Sequence, residues 1–185
     1  MKIKKISEAN VRDLLWKLRG AVWDQNTART APEDSPHHGL SDIWARYAPL
    51  GVDGSQPHKS IWYDTPLTED LKALACQLVS LVNGTELGGV LITRIPPGAI
   101  CKPHTDPGWH ARYYEKLAVQ IDSAPGQAFC FEGESLETKP GDVFWFDNAY
   151  LHWVPNPTPY ERITAIFCIK TDAFAALKEE PCLGE

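Results

Sequence analysis

Hydrophobic positions in the second half of the chain follow a strand-like pattern. After Gly88-Gly89, short segments rich in β-branched and aromatic residues alternate with Pro, Gly, Asn and Asp, which is typical of strands separated by turns. These segments are VLITRI, KLAVQID, QAFCFEG, DVFWFD and RITAIFCIK. KPGD at 139–142 places proline and glycine at the central positions of a type II turn. Many short strands at regular spacing predict a sandwich or a closed barrel.

The first half of the chain predicts two helices separated by a loop. In SEANVRDLLWKLRG the apolar residues recur at helical spacing between Ser7, a candidate N-cap, and Gly20, which can end the helix. A second helix is predicted to start at Thr65, with proline and acidic residues in its first turn, and to end at Asn83-Gly84. The polar stretch NTARTAPEDSPHHGLSDIW between them predicts a long loop.

These elements predict one domain of the α+β class, mainly β. The chain of 185 residues suits a single substantial core. We expect a helical and loop part over 1–87, a jelly roll over 88–172 and a C-terminal tail over 173–185. The two N-terminal helices are expected to cover one side of the jelly roll.

The net charge limits the kinds of partner that the protein is expected to bind, and the cysteine pattern indicates its cellular compartment. The formal net charge is −6, and MKIKK is the one basic cluster, whereas a protein that binds phosphate backbones normally carries a basic stripe. The five cysteines form no CxxC pair, which argues against a disulfide framework or structural zinc and favours a reducing cytoplasm. No signal peptide is evident, and no segment approaches the ~18 apolar residues of a membrane span.

The segment KPHTDPGW contains the first candidate for chemistry. His104 and Asp106 are two residues apart, so in extended backbone both side chains project to the same side. By itself this pair is also compatible with a polar surface turn. His152, just past DVFWFD, offers a third ligand. Two histidines and one carboxylate on one face of a metal form the ligand set of non-haem Fe(II) oxygenases.

A candidate anion-binding residue follows ten positions after His152. Arg162 opens the segment RITAIFCIK and shares one strand face with Thr164. A buried arginine requires an anion, and its guanidinium suits a carboxylate in bidentate geometry. The hydroxyl of Thr164 could bond the same carboxylate. The alternative is a surface arginine paired with Glu161.

HTD, GDVFWFDNAYLH and YERITAIFCIK together resemble the Fe(II)/2-oxoglutarate-dependent oxygenases, and within them the aspartyl/asparaginyl β-hydroxylase family. The resemblance covers roughly residues 88–172. It implies a double-stranded β-helix of the cupin-like kind. It also implies Fe(II), 2-oxoglutarate and O2 as cofactor and cosubstrates, with ascorbate in a supporting role. The implied reaction is hydroxylation of an amino-acid side chain, free or within a peptide or protein.

The resemblance also implies roles for individual residues. His104, Asp106 and His152 would bind the iron, and Arg162 would hold the distal carboxylate of 2-oxoglutarate. Asp106 stands where aspartyl β-hydroxylases commonly have glycine, so this chain has the complete ligand triad. Lys116, in YYEKLAVQ, stands near the position where such proteins often place a histidine that helps to bind the cosubstrate.

Several alternatives stay open at this level. Oxidation of nucleic-acid bases is one, and a cupin-like module without turnover is another. Residues 24–60 could cover the site, although His37 and His38 are interpreted as solvated loop residues. Cys101 is near the candidate ligands in sequence, and His110 follows them closely enough to reach a substrate. The sequence indicates neither the substrate nor the oligomeric state.

Overall fold

The computed structural model describes residues 1–178, and the end of the predicted tail, 179–185 with Cys182, lies outside this range. Two antiparallel sheets dominate the structure. The strands are β1 (Ile3–Glu8), β2 (Ser41–Tyr47), β3 (Ile61–Trp62), β4 (Glu86–Ile95), β5 (Ile100–His104), β6 (Glu115–Asp122), β7 (Ala128–Phe131), β8 (Glu134–Glu137), β9 (Asp142–Phe146), β10 (His152–Pro155) and β11 (Arg162–Lys170). The helices are α1 (Arg12–Leu18), α2 (Thr68–Leu81) and α3 (Trp109–Tyr113), and a 3-10 turn spans Ala175–Leu177.

The order of the strands is that of a jelly roll. The larger sheet runs β1-β9-β6-β11-β4-β2-β3 and the smaller one β5-β10-β7-β8. From β4 to β11 the chain passes repeatedly between the two sheets, and apart from the hairpin of β7 and β8, consecutive strands belong to opposite sheets. This confirms the mainly-β jelly roll predicted from the segments after Gly88-Gly89.

Two apolar clusters pack against the larger sheet, one on each of its faces. The outer cluster packs α1 and α2 against the sheet, with Leu14, Leu71 and Leu78 against Leu117 and Phe167. The inner cluster lies between the sheets and includes Phe129, Phe131, Phe144, Phe146 and Val154. The predicted helices therefore cover one side, and the inner cluster supplies apolar walls for a cavity.

The N-terminal segment is a strand where the sequence predicted the start of a helix. Ser7 belongs to β1, which pairs with β9 and extends the larger sheet. Helix α1 begins only at Arg12, whose backbone N–H donates to Asn10 Oδ1 at 3.1 Å. The prediction of Ser7 as N-cap was wrong because the exposed edge of β9, a tertiary feature, captures the segment.

The predicted loop between the helices also contains strand. Residues Ser41–Tyr47 form β2, which pairs with β4 in the larger sheet. The sequence before it is polar, and pairing with β4 on one side and β3 on the other holds its residues extended. Residues 1–87 therefore supply three strands in addition to helix and loop. Within residues 1–178, no helix combines the length and the apolar character needed to cross a membrane.

The residues that form turns were predicted more accurately than the residues at which the helices begin. Helix α2 starts at Thr68, three residues later than predicted, although Thr65 Oγ1 does accept the backbone N–H of Leu67 at 3.3 Å. Asn83 ends the helical region with a φ of 50°. Gly141 has a φ of 96°, the left-handed value that the KPGD turn requires.

Candidate active site

The pairing of β5 with β10 brings the two candidate histidines together. His152 lies opposite His104 in the register, and their ring centroids are 4.4 Å apart. Asp106 follows β5, and its backbone N–H donates to the carbonyl of Asn148 at 3.0 Å. One ligand atom from each of the three side chains lies within 4.8 Å of the others. The three residues predicted to bind a metal are therefore clustered.

The hydrogen bonds of the two imidazoles fit a divalent metal ion. His104 Nδ1 donates to the carbonyl of Lys102 at 2.7 Å, and His152 Nδ1 donates to the carbonyl of Tyr150 at 2.9 Å. Because a carbonyl only accepts, each Nδ1 carries a proton, and in a neutral ring the lone pair is then on Nε2. This is the arrangement that orients metal-bound histidines. Burial lowers the pKa of His152, which favours the neutral ring that a metal requires.

The histidines open into a cavity of about 240 Å³ between the sheets. Its size is below the ~300–1,000 Å³ of sites that enclose drug-sized ligands, so it suits small molecules or a single side chain. Its walls include the following predicted residues: His104, Asp106, Lys116, His152, Arg162 and Thr164.

Arg162 is a buried cation in this cavity. Its exposed fraction is 1%, and its guanidinium donates to the carbonyl of Gln127 at 3.2 Å and to Thr138 Oγ1 at 3.3 Å. Its Nε has no partner, and no carboxylate pairs with it among residues 1–178. Burial lowers its pKa to about 10, so it stays charged at neutral pH. Glu161 instead pairs with Arg94 at 3.7 Å, which contradicts the alternative of a surface Arg162–Glu161 pair.

The register of β11 separates the other two predicted cosubstrate residues. Thr164 lies opposite Gln120 on β6, and its hydroxyl donates to Gln120 Oε1 at 3.3 Å. Lys116 lies opposite Cys168, with Nζ 3.2 Å from Sγ. Cys168 is six positions beyond Arg162, about 20 Å along an extended strand. Thr164 is therefore next to Arg162, whereas Lys116 lies near the other end of β11.

The loop before β2 covers the candidate metal site, a possibility that the sequence left open for residues 24–60. The His37 ring packs edge-on against His104, with centroids 4.7 Å apart. The backbone N–H of Lys102 donates to the carbonyl of Pro36 at 2.8 Å and ties the loop to β5. His37 is therefore not a solvated residue as predicted, whereas His38 is exposed.

A charged network holds this loop in place. Arg29 pairs with Asp42 at 2.6 Å, donates to Thr93 Oγ1 at 2.7 Å and donates to His37 Nε2 at 3.1 Å. The Asp42 carboxylate is fully buried. Nothing in the local sequence around Arg29 distinguishes it from a solvated loop arginine, because its partners come from β2 and β4.

A second group of potential ligands, formed by His37, Cys101 and His104, fits a metal less well. Burial raises the pKa of Cys101 to about 12, so its sulfur stays a thiol, and thiolate is the form that binds metals. Nε2 of His37 already accepts from Arg29. The ligand chemistry therefore favours His104 with Asp106 and His152.

The overall structure is similar to several solved oxygenases. An oxidoreductase of the 2OG-Fe(II) oxygenase family from Burkholderia pseudomallei has 16% identity and a TM-score of 0.57, covering 90% of this chain and 94% of its own. The prolyl hydroxylase of Trichoplax adhaerens, in complex with a hypoxia inducible factor peptide fragment, has 14% identity and a TM-score of 0.60, with 96% and 86% covered. The collagen prolyl hydroxylase of Paramecium Bursaria Chlorella virus-1 has 13% identity and a TM-score of 0.57, with 92% and 96% covered. At these identities the similarity demonstrates a shared fold.

Sequence comparison gives a more specific assignment. No curated protein sequence matches the chain significantly. The family model for aspartyl/asparaginyl β-hydroxylase matches residues 24–171, which include the loop before β2 and every strand except β1. The matched range begins well before residues 88–172, which carry the sequence resemblance, and the jelly-roll fold is consistent with this family. The chain belongs to the aspartyl/asparaginyl β-hydroxylase family.

Proposed function

We propose that this protein is an Fe(II)- and 2-oxoglutarate-dependent dioxygenase that hydroxylates an amino-acid side chain, either free or within a peptide or protein. The observation that carries the proposal is the shared cavity. A cluster of two imidazoles and one carboxylate opens into the same small space as a buried guanidinium that has no carboxylate partner among the described residues.

The metal is assigned to His104, Asp106 and His152. Two imidazoles whose Nδ1 atoms donate to carbonyls, together with one carboxylate, match the facial triad typical of non-haem Fe(II), which leaves coordination positions open for other ligands. Bound Fe(II), with 2-oxoglutarate and O2, supplies the oxidising chemistry for C–H hydroxylation, with release of succinate and CO2. The packing of His37 against His104 limits the access of water to this side of the site.

The distal carboxylate of 2-oxoglutarate is assigned to Arg162 and Thr164. A buried guanidinium is costly without an anion, and here its neighbours are a carbonyl and a hydroxyl. An incoming carboxylate would restore the missing partner and gain charge-assisted hydrogen bonds. Thr164 lies two positions further along the same strand face, and its hydroxyl can donate another hydrogen bond to that carboxylate.

The substrate class rests on the family and on the structures that share the fold. The family is one of hydroxylases of amino-acid residues, and the Trichoplax adhaerens prolyl hydroxylase is solved with a peptide fragment. The cavity admits a side chain or a small molecule. Four unpaired cysteines within residues 1–178 (Cys76, Cys101, Cys130, Cys168) support action in a reducing compartment such as the cytoplasm.

The proposal is tested by the cosubstrate reaction. Purified protein with Fe(II), ascorbate and 2-oxoglutarate is expected to release succinate, and candidate peptides or amino acids should gain about 16 Da, the mass of one oxygen atom, in mass spectrometry. The His104→Ala variant is the negative control. A protein that binds neither Fe(II) nor 2-oxoglutarate would instead be a cupin-like module. Turnover only with nucleic-acid substrates would favour the base-oxidising alternative.

A further inference from the structure

Gln127, in the turn between β6 and β7, contacts both ends of Arg162. Its main-chain carbonyl accepts a hydrogen bond from the guanidinium Nη1 at 3.2 Å. Its side-chain Nε2 donates to the carbonyls of Tyr160 at 3.1 Å and Glu161 at 3.4 Å, the two residues directly before Arg162. One residue therefore holds the backbone that leads into Arg162 as well as the tip of its side chain.

The side-chain amide of Gln127 has a single workable orientation. Its Oε1 accepts the backbone N–H of Ala124 at 3.0 Å. Its Nε2 lies 2.8 Å from both Asn156 Oδ1 and Thr158 Oγ1, in addition to the two carbonyls. Because an amide nitrogen only donates, its two N–H groups are shared among these acceptors. The residue is fully buried, so removing the amide would leave buried acceptors without a donor, which is costly.

Asn156 extends this network to the end of β4. The residue is almost fully buried, and its Nδ2 donates to the carbonyl of Ile95 at 3.0 Å and to that of Tyr160 at 2.7 Å. Its Oδ1 accepts from Gln127 Nε2 and from the hydroxyl of Thr158, each at 2.8 Å. Gln127, Asn156 and Thr158 are together called the amide clamp below.

The guanidinium of Arg162 has little support apart from the amide clamp. Its Nη2 donates to Thr138 Oγ1 at 3.3 Å, and its Nε has no partner within residues 1–178. A guanidinium can donate five hydrogen bonds, and the arginine side chain has large rotamer freedom. The position of the guanidinium therefore depends on the carbonyl of Gln127 and on the backbone before Arg162, and the amide clamp fixes both.

The position of Arg162 limits which diacids can bind. A diacid that binds the candidate metal site at one end and Arg162 at the other must match the gap between them. In a fitted pocket one methylene changes affinity by about 10- to 200-fold. A rigid anchor therefore discriminates between diacids that differ by one methylene, whereas an anchor that can shift accepts both.

We propose that Gln127 and Asn156 are positioning residues that fix Arg162 and thereby determine the length of the 2-oxo diacid that the site accepts. This inference rests on the proposed dioxygenase function, in which Arg162 holds the distal carboxylate of 2-oxoglutarate. Neither Gln127 nor Asn156 lines the cavity, so both act through Arg162 rather than by contact with the diacid.

Calorimetric titration of the Zn(II)-loaded protein tests this with two diacids, 2-oxoglutarate and 2-oxoadipate, which is longer by one methylene. We expect the wild type to bind 2-oxoglutarate at least about 10-fold more tightly than 2-oxoadipate. Gln127→Met keeps the main-chain carbonyl and the length of the side chain but removes the amide. It should weaken 2-oxoglutarate binding about 5- to 10-fold, as loss of a well-placed charged hydrogen bond implies, and reduce the preference to less than about 3-fold.

The matched control is Thr68→Val at the start of α2. Thr68 is buried, does not line the cavity, and donates from its hydroxyl to the carbonyl of Tyr63 at 2.9 Å. Like Gln127→Met, this change removes a buried hydrogen-bonding group and should lower the free energy of unfolding. Only Gln127→Met should change the affinity for 2-oxoglutarate and the preference over 2-oxoadipate.

A double variant shows whether the amide clamp acts through Arg162. We expect Gln127→Met with Arg162→Met to bind 2-oxoglutarate as weakly as Arg162→Met alone, within about 2-fold, because no guanidinium is left to position. If Gln127→Met does not fold, Thr158→Val takes its place. It removes one hydroxyl from the amide clamp and should lower both the affinity and the preference about 2- to 3-fold.

Three results would overturn the inference while the dioxygenase assignment survives. The first is a wild-type protein that binds both diacids equally well. The second is unchanged affinity and preference in Gln127→Met, or in Thr158→Val where that variant replaces it. The third is additive losses in the double variant, which would show that Gln127 acts independently of Arg162. Failure of the wild-type protein to bind 2-oxoglutarate would instead refute the proposed function.

Discussion

His152 lies directly opposite His104 in the pairing of β10 with β5, although 48 positions separate them in the chain. Both rings donate from Nδ1 to a carbonyl two residues earlier in the chain, at Tyr150 and Lys102. The geometry of the candidate metal site therefore depends on strand register, because a slip by one residue would turn an imidazole to the other face.

Replacing either histidine should abolish metal binding. We expect His104→Ala and His152→Ala to weaken Fe(II) or Co(II) binding by more than about 100-fold, since loss of a ligand exceeds the 10–100-fold effect of a residue that only orients one. Metal content and Co(II) absorption spectra measure this. The control is His38→Ala, because His38 is exposed. Full metal binding in both variants would show that the ion binds elsewhere.

Arg162→Met should weaken the binding of 2-oxoglutarate without a comparable loss in the free energy of unfolding. We expect 2-oxoglutarate affinity to fall about 10- to 100-fold, the effect of losing a charged hydrogen bond. The free energy of unfolding should fall by less than about 1 kcal/mol or rise, because the variant removes a buried charge without an anionic partner. Calorimetric titration and urea unfolding give the two quantities.

The control for this change is Arg12→Met, at an exposed position of α1. It should leave both quantities unchanged. Unaltered 2-oxoglutarate affinity in Arg162→Met would place the anchor at another residue.

The loop over the metal site should depend on one ion pair. Arg29→Ala leaves the buried Asp42 carboxylate without its cation, and we expect a loss of about 3 kcal/mol in the free energy of unfolding. Adding Asp42→Ala should restore part of this loss, because the unpaired charge is then absent. Urea unfolding of the single and double variants gives the coupling energy. Strictly additive effects would show that the pair does not stabilise the loop.

Stability should decrease with acidification through His110. Its folded-state pKa of about 3 lies below the ordinary value near 6.5, so the unfolded chain binds more protons below pH 6.5. This residue should therefore lower the free energy of unfolding by about 1.4 kcal/mol per pH unit as the pH falls from 6.5 towards 3. Urea unfolding of the metal-free protein between pH 5 and 6.5 measures the slope.

The matched variant is His110→Gln, whose amide oxygen can still accept the N–H of Gly89. Its slope should be smaller than that of the wild type by the contribution of one proton. Parallel slopes would mean that His110 titrates normally in the folded protein.

Sequence patterns predicted β4, β6, β7, β9 and β11 because each of these strands carries its own evidence, whereas β5, β8 and β10 were not predicted. Alternation, β-branched content and flanking turn residues are local properties, and Gly141 shows the turn conformation that KPGD requires. Ser7 and the segment Ser41–Tyr47 were mispredicted for the opposite reason. Both belong to strands whose extended form is imposed by the edges of β9 and β4, which no local pattern reveals.

The candidate site likewise has some residues that the sequence could place and one that it could not. Spacing in the chain placed His104 with Asp106, and Arg162 with Thr164, because residues two apart on a strand share a face. Spacing could not place Lys116, because strand pairing decides which residue of β6 lies opposite Thr164. That residue is Gln120, and Lys116 lies opposite Cys168 instead.

The amino-acid sequence by itself determined the strand-rich jelly roll, the residue types of the candidate metal site and the presence of an arginine suited to a carboxylate. Only the tertiary structure decided that His37 and Arg29 cover that site and that Lys116 lies away from Arg162. The physical reason is that residue type and spacing act along one strand, whereas contacts between strands and loops depend on register and packing across the whole fold.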